Sequence, residues 1–144
     1  MPKKFLRKRT RARQCAVQIL YKLSIADGDI DEIDDDFWDL AGEKDENVKE
    51  FALSLVRQCL EKEPFYEEVI AKFIKKDWSM DRIGDVEKCI LKLAVSEMLD
   101  GETPDITVID DFVFLTGEFT DNEKTVSFVN GLLENIRKKM VSNE

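Results

Sequence analysis

The sequence predicts an all-α protein, a compact bundle of six or seven helices. Three observations lead there. Apolar residues recur at three- and four-residue spacing along most of the chain, as one face of an α-helix requires. No segment alternates apolar and polar residues for long enough to form a half-buried strand. Gly28, Pro64, Gly101 and Pro104 fall at the borders of the periodic segments, where helices start and stop. The length of 144 residues fits one domain, residues 1–144, able to bury a core without covalent or metal staples.

The first helix is carried by Ala12, Cys15, Ala16, Ile19, Leu20 and Leu23, with Gly28 beyond its end. Residues 27–46 hold eleven acids and one lysine. That density suits a solvated acidic loop, but Ile30, Ile33, Phe37, Trp38 and Leu40 argue that part of it packs, as a short helix over Asp35 to Leu40. Val48, Phe51, Ala52, Leu55, Val56, Cys59 and Leu60 give a second long helix. Pro64 suits the first turn of the next, with Phe65, Val69, Ile70, Phe73 and Ile74. The stretch 77–85 reads as a break. Val86, Ile90, Leu93, Ala94, Glu97 and Met98 mark another helix that stops near Gly101. Pro104 opens one with Ile106, Ile109, Phe112, Val113 and Phe119; its composition is rich in β-formers, but its spacing fits a helix. Residues 120–125 read as a polar turn, and Val126, Val129, Leu133, Ile136 and Met140 carry the last helix. Gly131 within it costs ~1 kcal/mol relative to Ala. A helix crossing too close for a side chain is the expected compensation, with the neighbouring Asn130 amide bonded to a loop backbone.

Composition narrows the chemistry. No apolar run approaches the ~18 residues of a membrane span, and the basic start is followed by no signal-peptide core. Cys15, Cys59 and Cys89 lie on apolar helix faces with no CxxC pair, as expected of buried thiols in a reducing cytoplasm. The absence of histidine removes the commonest metal ligand and general base. No catalytic residue, metal or cofactor is assigned.

The charge is segregated. The chain carries a net −9, yet Met1 to Lys22 holds eight Lys or Arg and no acid, leaving 14 basic against 31 acidic groups, a net −17, for the remainder. On a helical wheel Arg7, Arg11, Gln14, Gln18 and Lys22 form a stripe away from the core face. Arg9 and Arg13 sit one turn apart on a flank, and Tyr21 lies between the two. Arginine forks suit phosphates, while tyrosine and glutamine suit base faces and edges. A polyanion repelled by the rest of the surface would settle at this end. The chemistry points to RNA or DNA; a solvated basic face is the plain alternative.

The segments "RTRARQCAVQILY" (Arg9 to Tyr21), "VEKCILKLAVSEM" (Val86 to Met98), "TPDITVIDDFVFL" (Thr103 to Leu115) and "FVNGLL" (Phe128 to Leu133) resemble, in order, the blocks of the NusB family of bacterial transcription antitermination factors. The resemblance implies a small all-helical RNA binder in the cytoplasm. It implies pairing with a ribosomal small-subunit protein, called NusE in its transcription role. Together the two would hold single-stranded boxA-type RNA and join the RNA polymerase antitermination complex, chiefly on ribosomal RNA operons. The RNA surface would be the start of the first helix together with the loop before "FVNG", adding Lys124 and Phe128 to the residues above. The partner would dock on the middle helices. Homodimerisation stays open.

Three departures thin that surface. Ser127 stands where such proteins carry a lysine, leaving Lys124 as the nearest cation, and Gly117 or Glu118 replaces a basic residue. The 27–46 segment is unusually acidic. A second reading is therefore an interaction adaptor with weak or no independent RNA binding. An enzyme is disfavoured, because no Gly-rich strand–turn–helix element for a cofactor is present and no cysteine has a paired base. Asp110 and Asp111 splay apart on a helix and read as a solvated face. For Phe128, packing in a second direction competes with presenting its ring to RNA.

Overall fold

The computed structural model describes residues 6–74 and 83–141. Among them are seven α-helices, one 3-10 turn and a terminal π-turn, with no strand. The break expected over 77–85 lies largely outside the described residues. Two compact units are distinguished, one reaching Arg57 and one beginning at Gln58.

The first unit begins with α1 (Lys8–Ala26). Its apolar face is buried as the spacing requires: Ala12, Cys15, Ala16, Ile19 and Leu20 are at most 1% exposed. It stops at Asp27, which adopts the left-handed region at φ 51°, a conformation that Asp tolerates better than most residues. The acidic stretch that follows is ordered by its own carboxylates. Asp29 accepts from Asp31 N at 3.0 Å and opens a 3-10 turn (Ile30–Glu32), while Glu32 accepts from Asp29 N at 3.2 Å. Asp34 accepts from Asp36 N and Phe37 N at the start of α2 (Asp35–Ala41). Asp45 does the same for Asn47 N and Val48 N at the start of α3 (Glu46–Glu61). Each carboxylate satisfies amides that a helix start leaves orphaned and sits at the positive end of the helix dipole. Gly42, at φ 74°, closes α2. Trp38 is buried, with Phe37 edge-on at 5.0 Å.

The second unit contains α4 (Glu63–Phe73), α5 (Asp85–Asp100), α6 (Asp105–Phe119) and α7 (Glu123–Ile136), the last running into the π-turn Arg137–Val141. Pro64 sits in the first turn of α4, where its missing N–H is not needed. The centre is α5, packed on α4, α6 and α7. Every residue from Cys89 to Met98 is buried. The sequence marks one apolar face there, but burial runs all round the helix, so that Leu91, Lys92, Val95 and Ser96 are buried too. Burial of Lys92 is compensated by Glu63, whose Oε2 accepts from its Nζ at 2.7 Å. Gly101, at φ 80°, ends α5. The segment rich in β-formers is helical in α6 because Val108, Ile109, Phe112 and Leu115 bury one face; packing overrides propensity. No helix among the described residues is long and apolar enough to cross a membrane.

Two expectations for the last helix are corrected. Gly131 marks no close crossing: it is exposed, and a Cβ added there meets nothing within 4 Å. Asn130 is exposed as well, so water can satisfy its amide. The polar turn is also shorter than expected. Asn122 accepts from Lys124 N and Thr125 N and starts α7, which places Lys124 in the first helical turn.

Candidate nucleic-acid interface

The basic cluster is built on α1, and the structure divides its members. Arg7 is the exposed residue immediately before the helix; its carbonyl accepts from Arg11 N at 2.8 Å. Lys8 is exposed and meets Asp45 Oδ2 at 2.9 Å. That contact holds the Asp45 carboxyl below its ordinary range, as does the Asn47 amide. A pair this open to water contributes little stability. Arg9 is exposed, with its guanidinium over the Phe51 ring, 3.8 Å from the centroid. Lys22 is exposed and Tyr21 half-buried.

The other arginines point inward. Arg11 donates through Nε to Glu43 Oε1 at 2.9 Å, through Nη2 to Ala41 O at 2.7 Å and through Nη1 to Gln14 Oε1 at 2.7 Å. Its fork is occupied by the protein, and so is the Gln14 oxygen. Arg13 is only 2% exposed and lies 5.7 Å from the Phe51 centroid. A phosphate reaches it only if that packing opens. Gln18 is half-buried, and its Oε1 is enclosed without a hydrogen-bond partner among the described residues. The stripe drawn on the wheel is therefore an exposed cationic edge of Arg7, Lys8, Arg9 and Lys22 above a structural row of Arg11, Gln14 and Gln18.

A cavity of about 560 Å³ opens beside this edge. Its lining includes Lys8, Arg9, Asn47, Glu50, Phe51 and Ser54. Phe51 is half-buried rather than a full core residue, a role that its place in an apolar helical stripe conceals. Asn47 is exposed one turn earlier on α3. Neither residue stands out in the sequence, because their pairing with α1 exists only in the fold.

In the second unit, Lys124 is exposed and Phe128 half-buried, both lining a groove of about 810 Å³ along α7 with Ser127, Gly131 and Lys138. The groove is mixed in charge, since Glu123 and Glu134 line it too, Glu134 being bonded to Arg137 at 2.9 Å.

Covalent chemistry has no support in the thiols. Burial pushes Cys15 up to about 11, with Arg11 opposing, and pushes Cys59 up to about 12, with Glu63 adding to it. Both remain protonated at neutral pH, without the thiolate that attack requires. Among the described residues no three His, Cys, Asp or Glu side chains converge to hold a metal.

The NusB family model matches residues 10–138. A transcription antitermination protein NusB of Sulfurimonas denitrificans is 35% identical over 131 residues, 90% of this chain and 96% of that one. Its counterpart in Anaeromyxobacter dehalogenans is 33% identical over 129 residues, 90% and 89% of the two chains. A chain from the crystal structure of antitermination factors NusB and NusE in complex with dsRNA superimposes with a TM-score of 0.80 at 29% identity, covering 93% of this chain and 98% of that chain. A chain in the crystal structure of a plectonemic RNA supercoil gives 0.85 at 29% identity, covering 96% and 100%.

Proposed function

We propose that this chain, which belongs to the NusB family, is an RNA-binding transcription antitermination factor that works with a NusE-type ribosomal protein. The observation that carries the reading is the exposed cationic edge Arg7–Lys8–Arg9 on a chain whose remaining surface is strongly acidic. Relatives bearing the antitermination name over nine-tenths of this chain, and a similar fold in a NusB–NusE–RNA complex, support it. The ligand on this reading is single-stranded boxA-type RNA, the setting is the polymerase antitermination complex on ribosomal RNA operons, and the three buried thiols suit the cytoplasm. The whole chain acts as one RNA-binding domain. Lys124 and Phe128 provide a second contact on α7. Of the α1 residues, Arg7, Arg9 and Lys22 touch the RNA directly. Arg11, Arg13, Gln14 and Gln18 shape the helix that presents them.

Phosphate contacts release counterions, so a salt titration counts them. Replacing Arg7 and Lys22 by Gln is expected to lower the slope of log K against log salt by roughly 0.7 per contact on a single strand. An unchanged slope, with the variant folded, removes α1 from the interface. The adaptor reading is favoured by Ser127 and by the inward turn of Arg11 and Arg13. It predicts partner binding without measurable affinity for RNA alone.

A further inference from the structure

The cavity beside α1 is nearly neutral in spite of its cations. Lys8 is paired with Asp45, and Glu50, exposed on the rim, offsets Arg9. A phosphate would gain little there, whereas an uncharged aromatic ring loses nothing by entering. Arg9 makes no hydrogen bond or ion pair among the described residues; its single contact of note is the Phe51 ring at 3.8 Å. The guanidinium carbon thus lies over the ring, and the exposed side chain leaves its far side open to solvent. Asn47 offers an exposed carboxamide, both donor and acceptor, on the same cavity wall. A planar cation held over a ring, with an exposed amide lining the same cavity, suits the stacking of an unpaired base and contact with its rim.

We propose that Phe51 is a positioning residue: it holds the Arg9 guanidinium so that its outer face stacks on one unpaired nucleobase of the bound RNA, while the Asn47 carboxamide meets the edge of that base. This rests on the RNA-binding reading above and adds two residues of α3 to it. Phe51 acts through Arg9 and contributes no charge. Its removal therefore weakens binding without altering the count of phosphate contacts, which separates it from Arg7.

The test uses the full chain and single-stranded RNA oligonucleotides carrying 2-aminopurine at successive positions, whose fluorescence falls on stacking. Wild type is expected to quench one position. Phe51→Leu keeps the apolar bulk, and is expected to weaken binding about tenfold, to abolish that quenching and to leave the salt slope unchanged. Phe51→Tyr restores affinity and quenching, and Asn47→Ala alters the base preference at the quenched position. Binding and quenching unaffected by Phe51→Leu, in a chain whose affinity still falls with Arg9→Gln, overturn this proposal and leave the RNA reading standing. Absence of RNA binding by wild type at low salt overturns both. If Phe51→Leu and Asn47→Ala weaken a protein partner and spare RNA, the cavity is a protein site and the proposal falls. Should Phe51→Leu fail to fold, Asn47→Ala must by itself shift the base preference, or the proposal is lost.

Discussion

Arg11 ties α1 to the segment joining α2 and α3, its Nε bonded to Glu43 Oε1 at 2.9 Å while Nη2 reaches the Ala41 carbonyl at 2.7 Å. Glu43 in turn accepts from Asp45 N at 3.0 Å, and Asp45 starts α3. One guanidinium thus fixes how α2 ends and where α3 begins. Arg11→Gln removes a charged donor from a carboxylate that is only 14% exposed. The expected loss is about 1.5–3 kcal/mol in urea unfolding. Arg11→Lys recovers little of it, since an ammonium on a flexible stem cannot reproduce the planar fork. A variant with unchanged stability and weaker RNA binding would show that Arg11 serves the ligand rather than the fold.

The same pair sets a dependence on acid. Burial works to raise the Glu43 carboxyl, but the Asp45 amide and the hydrogen bond and charge of Arg11 outweigh it and hold it below its ordinary range. A folded-state value below the unfolded one gives stabilisation that is present above the unfolded value, about 4.3, and is lost as pH falls through the folded value. Stability of wild type should therefore drop more steeply below about pH 4.3 than that of Glu43→Gln. Parallel unfolding curves for the two proteins across that window would remove Glu43 from the acid response.

Much of the fold is legible because helix periodicity and burial are the same fact seen twice: Ala12, Cys15, Ala16, Ile19, Leu20 and Leu23 mark the apolar face of α1 and are buried. The acidic stretch is harder to read. A count of charges suggests solvation, whereas Asp29, Asp34 and Asp45 are helix caps whose partners are backbone amides two and three residues on. Within α1 the wheel places Arg9, Arg11 and Arg13 but cannot choose among them. Whether an arginine faces solvent depends on Glu43 and Phe51, 32 and 42 positions along the chain. Gly131 carried a misleading signal, because a helical glycine implies a close neighbour only when something stands there.

Gly131→Ala should raise stability. The site is exposed on α7, and an added methyl meets nothing within 4 Å. The gain expected from helix propensity is ~0.5–1 kcal/mol, read as a higher melting temperature with an unchanged denaturant slope. A lowered melting temperature would mean that α7 meets a neighbour at Gly131 in solution.

Lys92 and Glu63 make a part-buried ion pair in the second unit, with side chains 11% and 26% exposed. Removing one partner strands the other. Glu63→Ala is expected to cost on the order of 2–3 kcal/mol, below the figure for a fully buried pair because Glu63 keeps some water. The double variant Lys92→Met with Glu63→Ala should lie closer to wild type than Glu63→Ala alone, and a double-mutant cycle measures the difference. Burial works to lower the Lys92 pKa, but the hydrogen bond and charge of Glu63 outweigh it and raise the value. Stabilisation from a raised ammonium is full below the unfolded value, about 10.4, and is lost as pH rises through the folded one. Wild type should therefore lose more stability than Glu63→Ala as pH climbs past that point. A cycle with no coupling would show that the two side chains part in solution.

Dependence on a protein partner follows from the charge balance. Outside the first 22 residues the chain carries a net −17, and Ser127 supplies no cation beside Phe128 on α7. An RNA strand leaving the Arg7–Arg9 edge meets a repulsive surface, so the free protein should hold RNA weakly, the more so as salt screens the cations that remain. A basic NusE-type partner would cancel part of that negative field and lengthen the run of phosphate contacts. The resulting coupling is reciprocal: RNA must tighten the protein pair by the same factor by which the partner tightens RNA. A coupling of ~1–3 kcal/mol corresponds to about 5–150-fold in affinity. Titrating boxA-like RNA into the free chain and into the preformed pair, at matched salt, gives this factor from one side, and titrating the partner with and without RNA gives it from the other. The salt slope should also steepen in the pair, because added contacts release added counterions. Equal affinities in the two RNA titrations would leave the α1 edge as a self-sufficient site and remove the acidic surface from the control of binding.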